Sequence, residues 1–153
     1  MTLCARDIMV TSFDKIDENA SIEEAIRLIS NGKVRKTGHK TVSLMVTDYY
    51  DNLVGVITMF DILYHLRPAF LNHGIDGDQL PWQGQLDSFI RDLKGKKVKH
   101  VMSTDVMGAS IDEHLMVLLD RMIKNKYRRL PVLENNKPIG VVYVADIYYN
   151  LFR

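Results

Sequence analysis

Gly55-Val-Ile-Thr-Met-Phe-Asp61 and Gly140-Val-Val-Tyr-Val-Ala-Asp146 share one pattern, 85 positions apart: a glycine opens an apolar run and an aspartate closes it. A duplicated pattern decides architecture before any local propensity does, because each copy has an apolar face that the other can bury. Reading outward, Leu44-Met-Val46 returns as Leu130-Pro-Val132 at an offset of 86. Ile22, Ala25, Ile26 and Ile29 return as Leu115, Leu118, Leu119 and Met122 at an offset of 93. Both sets have the spacing of one helix face. Asp7-Ile-Met9 returns as His100-Val-Met102 at that same offset of 93. The falling offset gives the first copy eight extra residues, seven between Ser30 and Ser43 and one around Tyr49–Asn52. Loops absorb such insertions at little cost.

Each copy predicts a short leading strand, a helix, a hairpin and a closing helix. The fold class expected is therefore α+β, with two β-α-β-β-α repeats packed through their sheets under pseudo-twofold symmetry. Ser21 and Glu24 have the spacing of a capping box at the start of the first helix. Strands are expected at Val42–Thr47 and Leu53–Met59 around Asp51-Asn52, and at Leu130–Leu133 and Ile139–Val144 around Asn135-Asn136. The closing helix of the first copy starts near Asp61 and is stopped by Pro68. Residues 1–63 form the first repeat, 64–97 a connector and 98–153 the second repeat. Gly74, Gly77, Pro81 and Gly84 mark the connector as looped, but Leu86, Phe89, Ile90 and Leu93 line one helix face that Gly95 ends.

Composition bounds what the chain can do. Of its 153 residues, 46% are hydrophobic and 25% charged, which supplies a core and excludes disorder. Lys plus Arg number 20 against 19 Asp plus Glu, so no global field attracts nucleic acid or membrane, and a charged partner must be recognised locally. Cys4 is the single cysteine and rules out an internal disulfide. The first residues lack the apolar stretch of a signal peptide, and no run approaches the ~20 apolar residues of a membrane helix. The expected location is the cytoplasm.

The order, spacing and duplication of these motifs resemble the CBS-domain family, in which two copies pair as a Bateman module. The resemblance covers Ala5–Leu63 and Val98–Leu151 and includes Asp7-Ile-Met9, Val101-Met102, the run Arg128-Arg-Leu-Pro-Val-Leu-Glu134 and the two glycine-to-aspartate strand ends. It implies a sensor of adenosine compounds, chiefly AMP, ADP, ATP or S-adenosylmethionine, that regulates a partner and is not an enzyme. It also implies a homodimer. With no catalytic domain in the chain, the regulated protein is expected to act in trans. The alternative is a ligand-free scaffold of the same fold.

Gly55 to Asp61 is similar to the family's nucleotide motif. Asp61 at a strand end suits the two hydroxyls of a ribose. Thr58, near a helix N-terminus, suits an anionic phosphate. Gly55 would let a planar base approach the backbone, with Val56 as an apolar surface for it. The competing reading is that Asp61 serves only to cap the helix. In the second copy Asp146 is kept but Tyr143 replaces Thr58, and the phenol would either fill that cleft or stack on a base. Lys126, Arg128 and Arg129 stand at the start of the second copy's hairpin, where the first copy has Val42 and Ser43 against the two arginines. The family often holds phosphates there; solvated charge is the alternative. Ser103 occupies a position from which family members touch the nucleotide of the other copy, and its counterpart Val10 has no hydroxyl.

The remaining signals are weaker. Lys33, Arg35, Lys36, His39 and Lys40 make a basic insert, read as a solvated loop with a phosphate or nucleic-acid contact as the alternative. Gly38-His-Lys-Thr41 lacks the glycine pattern of a P-loop. Asn72–Gly77 resembles a calcium loop, but Gly74 and Gln83 stand where oxygen ligands are needed. The five histidines and one cysteine form no zinc pattern, and no Gly-x-Ser-x-Gly elbow occurs. Neither a metal nor a required cofactor is expected.

Overall fold

The structure is a computed structural model that describes residues 3–32, 43–74 and 76–152. The basic insert and Val42 lie outside the described residues. In chain order the elements are α1 (Ala5–Ile8), β1 (Lys15–Asp17), α2 (Ile22–Ser30), β2 (Ser43–Thr47), β3 (Leu53–Thr58), α3 (Met59–Leu66), α4 (Gln85–Lys94), α5 (Leu115–Asn125), β4 (Arg129–Glu134), β5 (Lys137–Tyr143) and α6 (Val144–Phe152). Short 3-10 turns punctuate the connector and residues Val98–His100.

Local chemistry accounts for the boundaries. Ser21 Oγ accepts the Glu24 N–H at 3.2 Å and starts α2. The return bond expected from Glu24 gives way to an ion pair with Arg27 at 2.6 Å. Both closing helices begin earlier than expected, at Met59 and Val144, so the preceding strands end at Thr58 and Tyr143. Thr58 is a good cap, and the residue after a cap is already helical. Asn135 and Asn136 have φ of 52° and 65°, the two positive values of a type I′ turn, and join the facing pair Glu134 and Lys137.

In the first repeat β1 runs parallel to β2, with Ile16 beside Val46, and β2 is antiparallel to β3. The second repeat has the β4–β5 hairpin, but its expected leading strand shrinks to one parallel bridge between Ala109 and Val132. Ala109 is the counterpart of Ile16, yet it is flanked by Gly108 and Ser110, residues with little strand preference. Gly108 also lies against the Leu133 side chain, which a Cβ at this position would meet.

The two sheets pack on each other through Met45 and Val56 of the first repeat and Val141 and Tyr143 of the second. Strand alternation sends the intervening residues, Leu44, Val46 and Ile57 or Leu130, Val132 and Val142, to the helices of their own repeat. The leading segments are exchanged. Ala5 and Ile8 are buried with α5 and the second hairpin, whereas Val98 and Val101 are buried with α2 and the first. Val10 accordingly bridges to Val141, and Ser103 to Val56. The connector helix α4 packs on α2 and α3 and buries Leu93. Among the described residues no helix is long and apolar enough to cross a membrane.

Candidate functional site

A cleft of about 510 Å³ opens between the repeats. That is the size of a small-molecule site, for which about 300–1,000 Å³ is usual. The first repeat supplies Val56, Thr58 and Asp61, and the second supplies Ser103, Arg128 and Arg129. With Lys126, also of the second repeat, seven residues singled out in the sequence thus meet in one place. The crossing of the leading segments brings Ser103 there: its N–H donates to Val56 O at 2.9 Å, and the Val56 N–H donates to Ser103 O at 3.0 Å.

Asp61 is already engaged by the protein. Its Oδ2 accepts from the Thr58 N–H at 2.9 Å and the Thr58 hydroxyl at 3.0 Å, while Oδ1 accepts from the Ser103 hydroxyl at 2.9 Å. The Asp61 N–H in turn donates to Thr58 Oγ1 at 3.1 Å. This is a complete capping box, with Thr58 as the cap and Asp61 on the third helical residue. Capping is therefore real, although Asp61 does not occupy the cap position itself. Each carboxylate oxygen can accept more than one hydrogen bond, so Oδ1 retains capacity toward the cleft.

Gly55 serves a different purpose from the one expected. A Cβ there would lie 2.6 Å from Met102 Sδ and 2.8 Å from Ser103 O. The surface cleared by the missing side chain is filled by the chain itself, not by a planar base. Gly140 stands against Met9 in the same way, with Sδ 2.7 Å from a Cβ position.

Tyr143 and Asp146 do not line this cleft. Tyr143 is buried between the sheets beside Met45, Val56 and Val141, because two-residue alternation points it where Val141 already points. Asp146 is 8% exposed on the first turn of α6. The counterparts of Thr58 and Asp61 in the second copy are therefore enclosed. Of the arginines, Arg128 is exposed and Arg129 half-buried.

Met59, Phe60, Asp105, Met107 and Tyr127 also line the cleft. Sequence reasoning passed over them. Met59 and Phe60 sat inside the quoted Gly55–Asp61 motif, and Tyr127 between the named Lys126 and Arg128, without a stated role at the cleft, but residues 105–107 gave no signal, since only the exchanged leader carries them across. Among the described residues no group of three or more His, Cys, Asp or Glu converges as a metal site.

Two interlocked α+β repeats around a shared cleft define the class of molecule, and the chain belongs to the CBS domain family, which matches residues 5–68 and 98–153. It is 28% identical over 141 residues to an uncharacterized 17.7 kDa protein of Acidianus ambivalens, covering 92% of this chain and 68% of that one. Among solved structures, the CBS domain of a CBS domain containing membrane protein from Sphaerobacter thermophilus has a TM-score of 0.72 at 19% identity, covering 96% of this chain and 86% of that one. The CBS domain pair of protein MJ0100, in complex with 5′-methylthioadenosine and S-adenosyl-L-methionine, has a TM-score of 0.68 at 20% identity, covering 99% of this chain and 97% of that one.

Proposed function

We propose that this chain is a regulatory module that binds one adenosine-containing ligand in the cleft between its repeats and signals to a partner protein in trans. The observation that carries this reading is the convergence of Thr58 and Asp61 with Ser103, Arg128 and Arg129 on a single cleft of about 510 Å³. A ribose hydroxyl would donate to Asp61 Oδ1, a base would lie against Val56, and the arginines would meet an anionic tail. The adenosyl ligands of a structure with the same fold support the ligand class.

A homodimer belongs to the same proposal. The outer faces of α3 and α6 leave Phe60, Leu63, Tyr64, Tyr148 and Phe152 exposed, a set that one copy does not cover. The test of the ligand reading is a thermal-shift panel of adenosine and guanosine compounds. A ligand at 100 times its Kd stabilises by about 2.7 kcal/mol, a clear shift for a chain of this length. No shift with any adenosine compound at millimolar concentration would leave the same fold as a ligand-free scaffold. The capping box favours that second reading, since Thr58 and Asp61 satisfy each other without a ligand.

A further inference from the structure

We propose that the turn between β2 and β3 is a docking surface, on which the exposed rings of Tyr49 and Tyr50 receive an arginine-bearing, basic segment of a partner protein. It draws on the proposed function only in taking the docked protein to be the one that is regulated.

The first observation is exposure without a structural task. Tyr49 is 91% exposed and Tyr50 72%, and no other large apolar or aromatic side chain among the described residues is as exposed as Tyr49. The two rings meet edge to face with their centroids 5.3 Å apart. The fold does not call for them. The corresponding turn of the second repeat reverses the chain through Asn135 and Asn136, with Glu134 facing Lys137 and no aromatic residue. Tyrosine rings held in water by their own chain are the kind of side chain that anchors an interface.

The second observation is that the turn is fixed in place. The Asp48 carboxylate accepts the N–H groups of Tyr50 at 2.9 Å and Asn52 at 3.0 Å, and the Asp48 N–H donates to Asn52 O at 3.0 Å. Lys137 Nζ donates to Tyr50 O at 2.7 Å, and the Leu53 N–H donates to Asn136 O at 2.9 Å. The turn is thereby tied to its counterpart in the other repeat. A backbone ordered beforehand loses little freedom when a partner docks.

Charge selects the partner. Asp48 and Asp51 flank the rings in sequence, Glu134 stands beside Lys137 in the neighbouring turn, and Asp17 faces Thr47, the residue before the turn. Against these carboxylates stand Lys15, which pairs with Asp51 at 3.1 Å, and Lys137. The excess is negative. Exposed rings among carboxylates match a guanidinium, whose flat group stacks on an aromatic face while its edge pairs with a carboxylate. Strand β3 separates this turn from Thr58 by its whole length, about 17 Å at ~3.4 Å per residue. A segment docked here leaves the cleft open.

The test titrates isotope-labelled protein, followed by amide NMR, with short peptides that alternate alanine with arginine, lysine, glutamine or glutamate. The arginine peptide should shift the amides of residues 49–52 and 135–137 and bind at least about tenfold tighter than the glutamine peptide, with the lysine peptide between them. Tyr49→Ser with Tyr50→Ser should lose about tenfold in arginine-peptide affinity at an unchanged melting temperature, whereas Phe at both positions should keep the affinity, because it keeps the ring face. Adenosine affinity should be the same in the serine variant as in wild type. Shifts spread over the acidic surface with none in the turn, or unchanged peptide affinity in the serine variant, would overturn the docking surface. A change from dimer to monomer in that variant would overturn it as well, by assigning the rings to a second copy of the chain. Absence of adenosine binding with arginine-peptide binding retained would overturn the cleft reading and leave the docking surface standing.

Discussion

The Ser103 hydroxyl donates to Asp61 Oδ1 across 2.9 Å, tying together residues 42 positions apart that belong to different repeats. Asp61 is thereby a junction. It closes the first turn of α3, holds the leading segment of the second repeat and faces the cleft. A structural and a binding role fall on one carboxylate, which changes what its substitution should do.

Asp61→Asn keeps the shape but replaces one acceptor oxygen by a donor, so it breaks either the return arm to Thr58 or the bond from Ser103. We expect a lower melting temperature, equivalent to about 1 kcal/mol for a lost cap, together with a tenfold to hundredfold weaker adenosine ligand, roughly the worth of one charge-assisted hydrogen bond. Melts and titration calorimetry on one preparation separate the two losses. An unchanged melt would show that the capping box contributes nothing.

Arg128→Ala removes an exposed charge and should leave the melting temperature within about 0.5 kcal/mol of wild type, while nucleotide affinity falls. Arg129→Ala should cost stability as well, because Arg129 is half-buried and faces Tyr143 in the β4–β5 register. Comparing the single variants tells whether the two arginines divide the work in this way.

Gly55→Ala and Gly140→Ala both force a Cβ against a methionine sulfur, at 2.6 and 2.7 Å. Each should destabilise by about 1–3 kcal/mol, as overpacking does. Because Met102 and Met9 are the exchanged contacts, urea unfolding should show similar losses for both. Met9→Ala should relieve the Gly140→Ala loss. Met102→Ala should relieve the Gly55→Ala loss only in part, because the Ser103 carbonyl oxygen also lies 2.8 Å from that Cβ position. No relief at Gly140 would show that the close approach is not the cause.

Tyr143→Ala empties a space between the sheets and should cost about 3–5 kcal/mol, the range for truncating a large buried ring. Adenosine affinity at the Asp61 cleft should change much less. Asp146→Asn should likewise act on stability before affinity, since Asp146 is 8% exposed. Loss of binding in Asp146→Asn with binding kept in Asp61→Asn would place the ligand in the other repeat.

Tyr148→Ser with Phe152→Ser strips two exposed aromatic rings from α6. We expect a dimer in wild type and a monomer in this variant by light scattering, with the circular dichroism spectrum retained. A wild-type monomer at high micromolar concentration would overturn the dimer.

The amino-acid sequence by itself determined the two-repeat α+β architecture. The heptad-like helix faces and the paired glycine-to-aspartate runs depend on local period and side-chain type, which do not change on folding. It also named seven of the residues that line the cleft. The tertiary structure alone decided their roles. Offsets of 93 and 85 residues say that Met102 repeats Met9 and Gly55 precedes Gly140, but not that Met102 seats on Gly55 and Met9 on Gly140. That exchange follows from long-range strand pairing, whose partners no local pattern specifies. It brings Ser103 to Asp61, and the sheet contact it accompanies encloses Tyr143. Pseudo-symmetry in sequence therefore ends as asymmetry in space: one threonine and aspartate face a cleft, and their tyrosine and aspartate counterparts are buried, because a phenol can fill an inter-sheet gap that a threonine hydroxyl leaves open.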